Sequence, residues 1–168
     1  TIEHGNLMGA DTAELMAQKG AFLVPTLTVY QVLTEQGAKT GASDFILEKL
    51  KTVMDVGLRS LEVAYRAGVK IGSGTDIIGP YQHMKTREFA IKAEVMTPME
   101  VIVSATRTNA EMFGLGDRLG TITPGKWADL IVVDGNPLED IGLFENARER
   151  VLLVLKEGKI MKDIRDRS

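Results

Sequence analysis

The run Ala21-Phe22-Leu23-Val24, closed by Pro25, is apolar without alternation, the pattern of a strand covered on both faces in a parallel sheet. Upstream, Thr1-Ile2-Glu3 leads into His4-Gly5 and reads as the end of another strand entering a loop. Between the two, Asp11-Thr12-Ala13-Glu14 has the form of a capping box, and the helix it would start should run to about Gln18 and close at Lys19-Gly20, where glycine takes the left-handed conformation. Strand, helix, strand is the unit of a parallel α/β protein. Downstream, 37–43 reads as a loop. From Asp44, Ile46, Leu47, Leu50, Val53, Met54, Leu58, Leu61 and Ala64 recur at helical spacing until Gly68. Val69-Lys70-Ile71 is a further strand with a glycine-rich exit, Gly72-Ser73-Gly74-Thr75-Asp76, and 86–94 is a further helix.

Thr97-Pro98-Met99-Glu100 combines a capping threonine, proline at the first helical position and glutamate at the third, and should lead a helix to about Met112. Beyond Gly120 the period changes. Thr121-Ile122-Thr123, 128–133, 150–155 and 159–161 alternate with the turns Pro124-Gly125, Asp134-Gly135 and Glu157-Gly158, which describes a small antiparallel sheet. For the α/β part, an open doubly wound sheet and a (β/α)8 barrel both fit. A barrel spends roughly 30 residues per βα unit, so 1–112 would hold about three units.

Of the 168 residues, 44% are hydrophobic, enough for a globular core, and Lys+Arg 20 against Asp+Glu 23 leaves a net charge of -3. That balance offers no basic field for nucleic acid. The absence of cysteine removes disulfides, iron-sulfur clusters and thiolate zinc sites. Apolar runs such as 130–133 and 151–155 fall far short of the roughly 20 residues of a membrane span. The opening at Thr1 has neither an initiator methionine nor a leader pattern, and the expectation is a fragment that starts in mid-structure.

His4 and Asp76 each stand where a predicted strand passes into a loop, the edge at which parallel α/β proteins bind ligands. Both are ligands that a divalent metal accepts. Spacing alone does not separate that role from a capping or hydrogen-bonding one.

A resemblance extends over nearly the whole chain. It is carried by Ile2-Glu3-His4-Gly5, Val24-Pro25-Thr26, Gly72-Ser73-Gly74-Thr75-Asp76, Ser104-Ala105-Thr106 with Asn109-Ala110, the run from Gly120 through Pro124-Gly125-Lys126-Trp127-Ala128-Asp129-Leu130 to Val132, and Asn136-Pro137-Leu138. In order and spacing these resemble the C-terminal part of the metal-dependent amidohydrolase superfamily, in the branch of imidazolonepropionase-like enzymes and prolidase-like (Xaa-Pro) dipeptidases. The resemblance implies an α/β fold: the C-terminal portion of a (β/α)8 TIM barrel, strands six to eight, over 1–115, and a small antiparallel β-sandwich segment over 116–168. It implies a divalent metal centre, one ion or two, with zinc the expected ion. His4 would be the strand-six metal ligand. Asp76 would be the strand-eight aspartate, which binds the metal and accepts the proton of the attacking water. His83, seven residues beyond Asp76, and Tyr30, after the seventh strand, would contact substrate.

The chain also departs from that pattern. Its only histidines are His4 and His83, and the family's His-x-His pair, strand-four lysine or glutamate and strand-five histidine have no counterpart. Catalysis by this chain alone is therefore not expected. Gly72-x-Gly74 lacks the third glycine of a dinucleotide fingerprint. Thr106 and Asn109 read as structural, Lys126 and Asp129 as turn and packing residues, and Arg148 to Arg150 with the tail 162–167 as solvated charge. The activity implied is metal-assisted hydrolysis of a C-N bond in a cyclic amide, an imidazolone-type ring or an Xaa-Pro dipeptide, with the missing barrel portion supplying the other ligands. Two other readings stay open: a noncatalytic interaction protein, and half of a split barrel completed by a partner chain. A homo-oligomer is compatible with either. The cytoplasm is the expected compartment, or a secreted or periplasmic one if a leader precedes Thr1.

Overall fold

A computed structural model of the chain describes residues 1–165, so the end of the charged tail expected at 162–167 lies outside the described residues. Three short strands, β1 (Ile2–Glu3), β2 (Phe22–Val24) and β3 (Lys70–Ile71), form a parallel sheet in the order β1-β2-β3. Ile2 pairs with Leu23, and Leu23 with Ile71. The ladder continues past the strand ends through His4 N–H to Val24 O (2.9 Å) and Gly72 N–H to Leu23 O (2.8 Å). Leu23 is fully buried and Val24 nearly so, as an unbroken apolar run in a parallel sheet requires.

Helix α1 (Ala10–Lys19) crosses from β1 to β2. It closes as expected at Gly20, whose φ of 63° lets its N–H reach the carbonyls of Ala17 and Met16. Its start differs. The N-cap is Gly9, with no side-chain cap, and Asp11 lies inside the first turn, where its charge faces the positive helix end.

The larger departure lies at 28–40. The expected loop at 37–43 shrinks to three residues, because α2 (Thr28–Thr40) runs through Gly37 and stops at Gly41. β-Branched residues and glycine make this a poor helix by propensity. Its first amides are held instead by a side chain 60 residues away, Glu88, which accepts from Leu27 N–H (3.1 Å) and Thr28 N–H (2.8 Å). No local pattern could show such a cap.

Helix α3 (Asp44–Arg66) is as expected, but only its C-terminal half is core: Leu61 and Ala64 are fully buried, whereas Phe45 is 73% exposed. After β3, a 3-10 turn (Gly79–Met84) leads to α4 (Arg87–Lys92). The capping box of Thr97 and Glu100 is present and starts α5 (Pro98–Val103). The single helix expected to Met112 is interrupted by a π-helical segment, Ser104–Thr108, before α6 (Asn109–Met112).

The second sheet is antiparallel, β4 (Leu130–Val133), β5 (Val151–Lys156) and β6 (Lys159–Asp163) in that order. Residues 121–123 do not join it. Between β4 and β5 a 3-10 turn (Ile141–Asn146) and α7 (Ala147–Arg150) fold back, and Phe144 meets Phe89 of α4 edge-on at 4.9 Å. Ile141, Leu143 and Phe144 thereby join one core with Leu23, Leu27, Leu61, Ile71, Ile91 and Val101. No helix among the described residues is long and apolar enough to cross a membrane.

Candidate functional site

Every exit from the parallel sheet carries a non-glycine residue in the left-handed region: His4 after β1 (φ 67°), Thr26 after β2 (φ 51°) and Asp76 after β3 (φ 53°). That conformation costs an L-residue about 1 kcal/mol or more. Such strain persists only where the surroundings enforce it, and it clusters at functional sites. His4 and Asp76 thus stand at the same edge of the sheet, on strands separated by β2.

Thr26 joins this set although its motif had suggested no role. Its buried hydroxyl lies 2.6 Å from His4 Nδ1. When Nδ1 carries the ring proton, Thr26 Oγ1 accepts it and the Nε2 lone pair of the exposed ring remains available to a cation. The Asp76 carboxylate is exposed as well.

Tyr30 sits in the first turn of α2, not in a loop, and its hydroxyl accepts from Asn6 Nδ2 (2.6 Å), two residues beyond His4. It is therefore tied to the loop leaving β1. His83 lies in the 3-10 turn Gly79–Met84. Its ring is exposed and its Nδ1 is 3.0 Å from Pro80 O, within its own 3-10 turn. Gly72 and Gly74 pack against β2: a Cβ on Gly74 would stand 2.8 Å from Val24 Cγ1, and one on Gly72 3.2 Å from Val24 Cγ2.

Among the described residues, no three His, Cys, Asp or Glu side chains form a group able to hold a metal ion. Zinc takes at least three protein ligands. His4 and Asp76 have the right donor chemistry for two of them, so this chain fits a share of a divalent-metal site and not the whole.

Behind the strand ends lie two charged side chains that the sequence reading passed over. Glu88 and Lys92, one turn apart on α4, are both completely buried. Glu88 accepts from Leu27 N–H, Thr28 N–H and Thr28 Oγ1 (2.5 Å). Burial pushes its carboxyl above the usual range, against the opposing effect of the Thr28 and Leu27 donors and the Lys92 charge. Lys92 Nζ donates to Gly72 O (3.3 Å) and Ser104 Oγ (2.5 Å), and burial lowers its pKa to about 8 against the pull of Glu88. The available signal was a Glu-x-x-x-Lys pair on a helix that otherwise carries Phe89 and Ile91.

The remaining motif residues behave as expected. Lys126 Nζ donates to Gly116 O (2.5 Å) and Leu119 O (3.1 Å), Asp129 accepts from Glu157 N–H (2.7 Å), and Arg118 lies over Trp127 at 5.4 Å.

The profile of the amidohydrolase family matches residues 1–161. An ochratoxinase of Aspergillus niger is 32% identical over 163 residues, 96% of this chain and 34% of its own length. An imidazolonepropionase of Thermoplasma volcanium is 28% identical over 122 residues, 67% of this chain and 30% of its own length. Among solved structures, a prolidase complexed with N-methylphosphonate-L-proline is 43% identical with a TM-score of 0.89, covering 97% of this chain and 40% of that one. The matches thus cover between 30% and 40% of the length of these relatives.

Proposed function

The chain belongs to the amidohydrolase family, and from that premise we propose that it forms strands six to eight of a (β/α)8 barrel (1–115) and part of a β-sandwich (116–168) in a metal-dependent hydrolase of C-N bonds. The observation that carries this reading is the row of left-handed, non-glycine exits at His4, Thr26 and Asp76 on one sheet edge. An Xaa-Pro dipeptide is the favoured substrate, supported by the similarity to a prolidase solved with a proline phosphonate. Other amides and imidazolone-type rings are the alternatives.

In this reading His4 and Asp76 hold a divalent metal, with zinc the first expectation, together with ligands from outside this chain. Such an ion supplies Lewis acidity toward a carbonyl and makes water more acidic. The residues here do the rest. Thr26 fixes the His4 ring through Nδ1, so that Nε2 points one way. The exposed Asp76 carboxylate accepts a proton from the attacking water and returns it to the leaving nitrogen, the work of a general base and then a general acid. Tyr30, held by Asn6, and His83, on the loop beyond Asp76, would contact the substrate.

The test is hydrolysis of leucyl-proline by the full-length protein beside its Asp76→Asn variant. Loss of the proton acceptor should lower kcat by about 10²- to 10⁴-fold, the usual contribution of a general base, with the fold unchanged by circular dichroism. An Asp76→Asn protein that keeps wild-type kcat, or a wild-type protein inactive on Xaa-Pro dipeptides, cyclic amides and imidazolones alike, would overturn the reading.

A further inference from the structure

Helix α4, Ser104 of the π-helical segment and Asn109 at the start of α6 grip the backbone of two strand exits at once. Glu88 takes both amides at the end of the β2 exit, Leu27 and Thr28, next to Thr26. Lys92 holds Gly72 O, the first residue beyond β3. Asn109 holds Ser73 on both sides: its Oδ1 accepts from Ser73 N–H (2.9 Å) and its Nδ2 donates to Ser73 O (2.9 Å). Ser104 closes the bracket, accepting from Lys92 and donating to Val101 O (2.6 Å).

The π-helical turn explains how Ser104 and Asn109 can act together. In an α-helix, at 100° per residue, side chains five positions apart point about 140° away from each other. A turn closed by i→i+5 hydrogen bonds brings residues five apart nearly above one another. The segment Ser104–Thr108 makes that turn. Ser104 then meets Lys92 while Asn109 meets Ser73, and both serve the exit of β3. The fit is close: a Cβ on Gly72 would stand 3.0 Å from Asn109 Oδ1 and 3.2 Å from Val24 Cγ2.

We propose that Glu88, Lys92, Ser104 and Asn109 are positioning residues, which set the backbone of the β2 and β3 exits so that Thr26 and Asp76 are delivered in their left-handed conformations. Glu88, Lys92 and Ser104 are buried, and Asn109 is bonded to Ser73 through both atoms of its amide. They act through the backbone carrying Thr26 and Asp76, and in that respect the inference rests on the function proposed above. A displacement of about 1 Å in a reacting group can cost about 10²-fold in rate, so the precision of this grip falls on kcat.

The test uses the full-length protein with Asn109→Leu, which keeps the branched shape and removes both bonds to Ser73, and Glu88→Gln, which keeps the shape and one acceptor. Two readouts are taken. Hydrogen exchange should quicken at 72–77 in Asn109→Leu and at 26–29 in Glu88→Gln, with β5 and β6 unchanged. For Asn109→Leu, kcat on leucyl-proline should fall by about 10²-fold with KM within about threefold, as expected for misplacement of a reacting group. Unchanged exchange at 72–77, exchange raised equally throughout the chain, or a variant that melts earlier yet keeps wild-type kcat would overturn the inference. Asp76→Asn, run in parallel, separates the two ideas. If Asp76→Asn abolishes activity and Asn109→Leu does not touch it, the positioning role fails and the function stands. If the wild-type protein cleaves none of the three substrate classes, the function fails and the exchange arm alone judges the grip.

Discussion

The parallel and antiparallel sheets of this chain show opposite relations between strand length and support. Strands β1 to β3 have two or three residues each, yet all three exits hold left-handed residues, and those of β2 and β3 are backed by a buried carboxylate and a buried ammonium group. Strands β4 to β6 have four to six residues each and leave Ile160 and Met161 more than 60% exposed. Both sheets contain left-handed non-glycine residues, but in different settings. Glu157 (φ 50°) precedes Gly158 (φ 76°) in a two-residue hairpin turn, where the geometry of tight antiparallel connections demands positive φ. His4 is the centre of a γ-turn closed by Gly5 N–H to Glu3 O (2.9 Å), another tight local connection that sets positive φ, whereas no hairpin turn carries Thr26 or Asp76. Left-handed residues thus accompany local turns at Glu157 and His4, while the exits carrying Thr26 and Asp76 are bonded by side chains distant in sequence.

The strongest way to break this contrast is Glu88→Ala, which strips the acceptor from two buried amides and the Thr28 hydroxyl. The full-length protein should lose about 4 kcal/mol, since each abandoned buried donor costs about 1 to 3; urea unfolding measures it. Next comes Gly120→Ala at the junction of the two parts. Gly120 has φ 87°, and a Cβ there would lie 2.8 Å from Arg107 Cα and 2.7 Å from Ala110 Cβ. Strain and overpacking together should cost about 3 kcal/mol, visible as a fall in Tm. A finer comparison pairs Asp76→Gly with Glu157→Gly. Each relieves about 1 kcal/mol of left-handed strain and should raise or preserve Tm, but only Asp76→Gly should abolish hydrolysis. Equal activity in the two would erase the distinction between the sheets. The smallest effect belongs to Arg150→Ala, which removes the exposed pair with Asp134 (2.8 Å). A change below about 0.5 kcal/mol in thermal unfolding is expected for such a surface pair.

Much of this was readable in one dimension. The apolar run at β2, the helical period of α3, the cap at Thr97 and the glycine at the end of α1 are local signals, each arising within a few residues, and the structure contains all of them. Helix α2 was not readable, because Leu27 and Thr28 depend on Glu88 for their cap. The π-helical turn was not readable either: Ser104-Ala105-Thr106-Arg107-Thr108 has ordinary helical composition, and its i→i+5 closure accompanies the demands of Lys92 and Ser73 on either side. Of the candidate site, His4 and Asp76 could be picked out by type and by position at strand ends. Thr26, the bond between Asn6 and Tyr30, and the contact of His83 with Pro80 required the folded chain.

By itself the sequence determined the kind of element at most positions, the parallel and antiparallel character of the two sheets, and the family, because periodicity, caps, turns and motif order are properties of near neighbours. Tertiary structure decided which strand exits are strained, which charges are buried, and how Asp76, Thr26 and His4 come to share one edge. Those outcomes depend on contacts between residues 20 to 60 positions apart. At such separations only packing, and not local propensity, selects the partner.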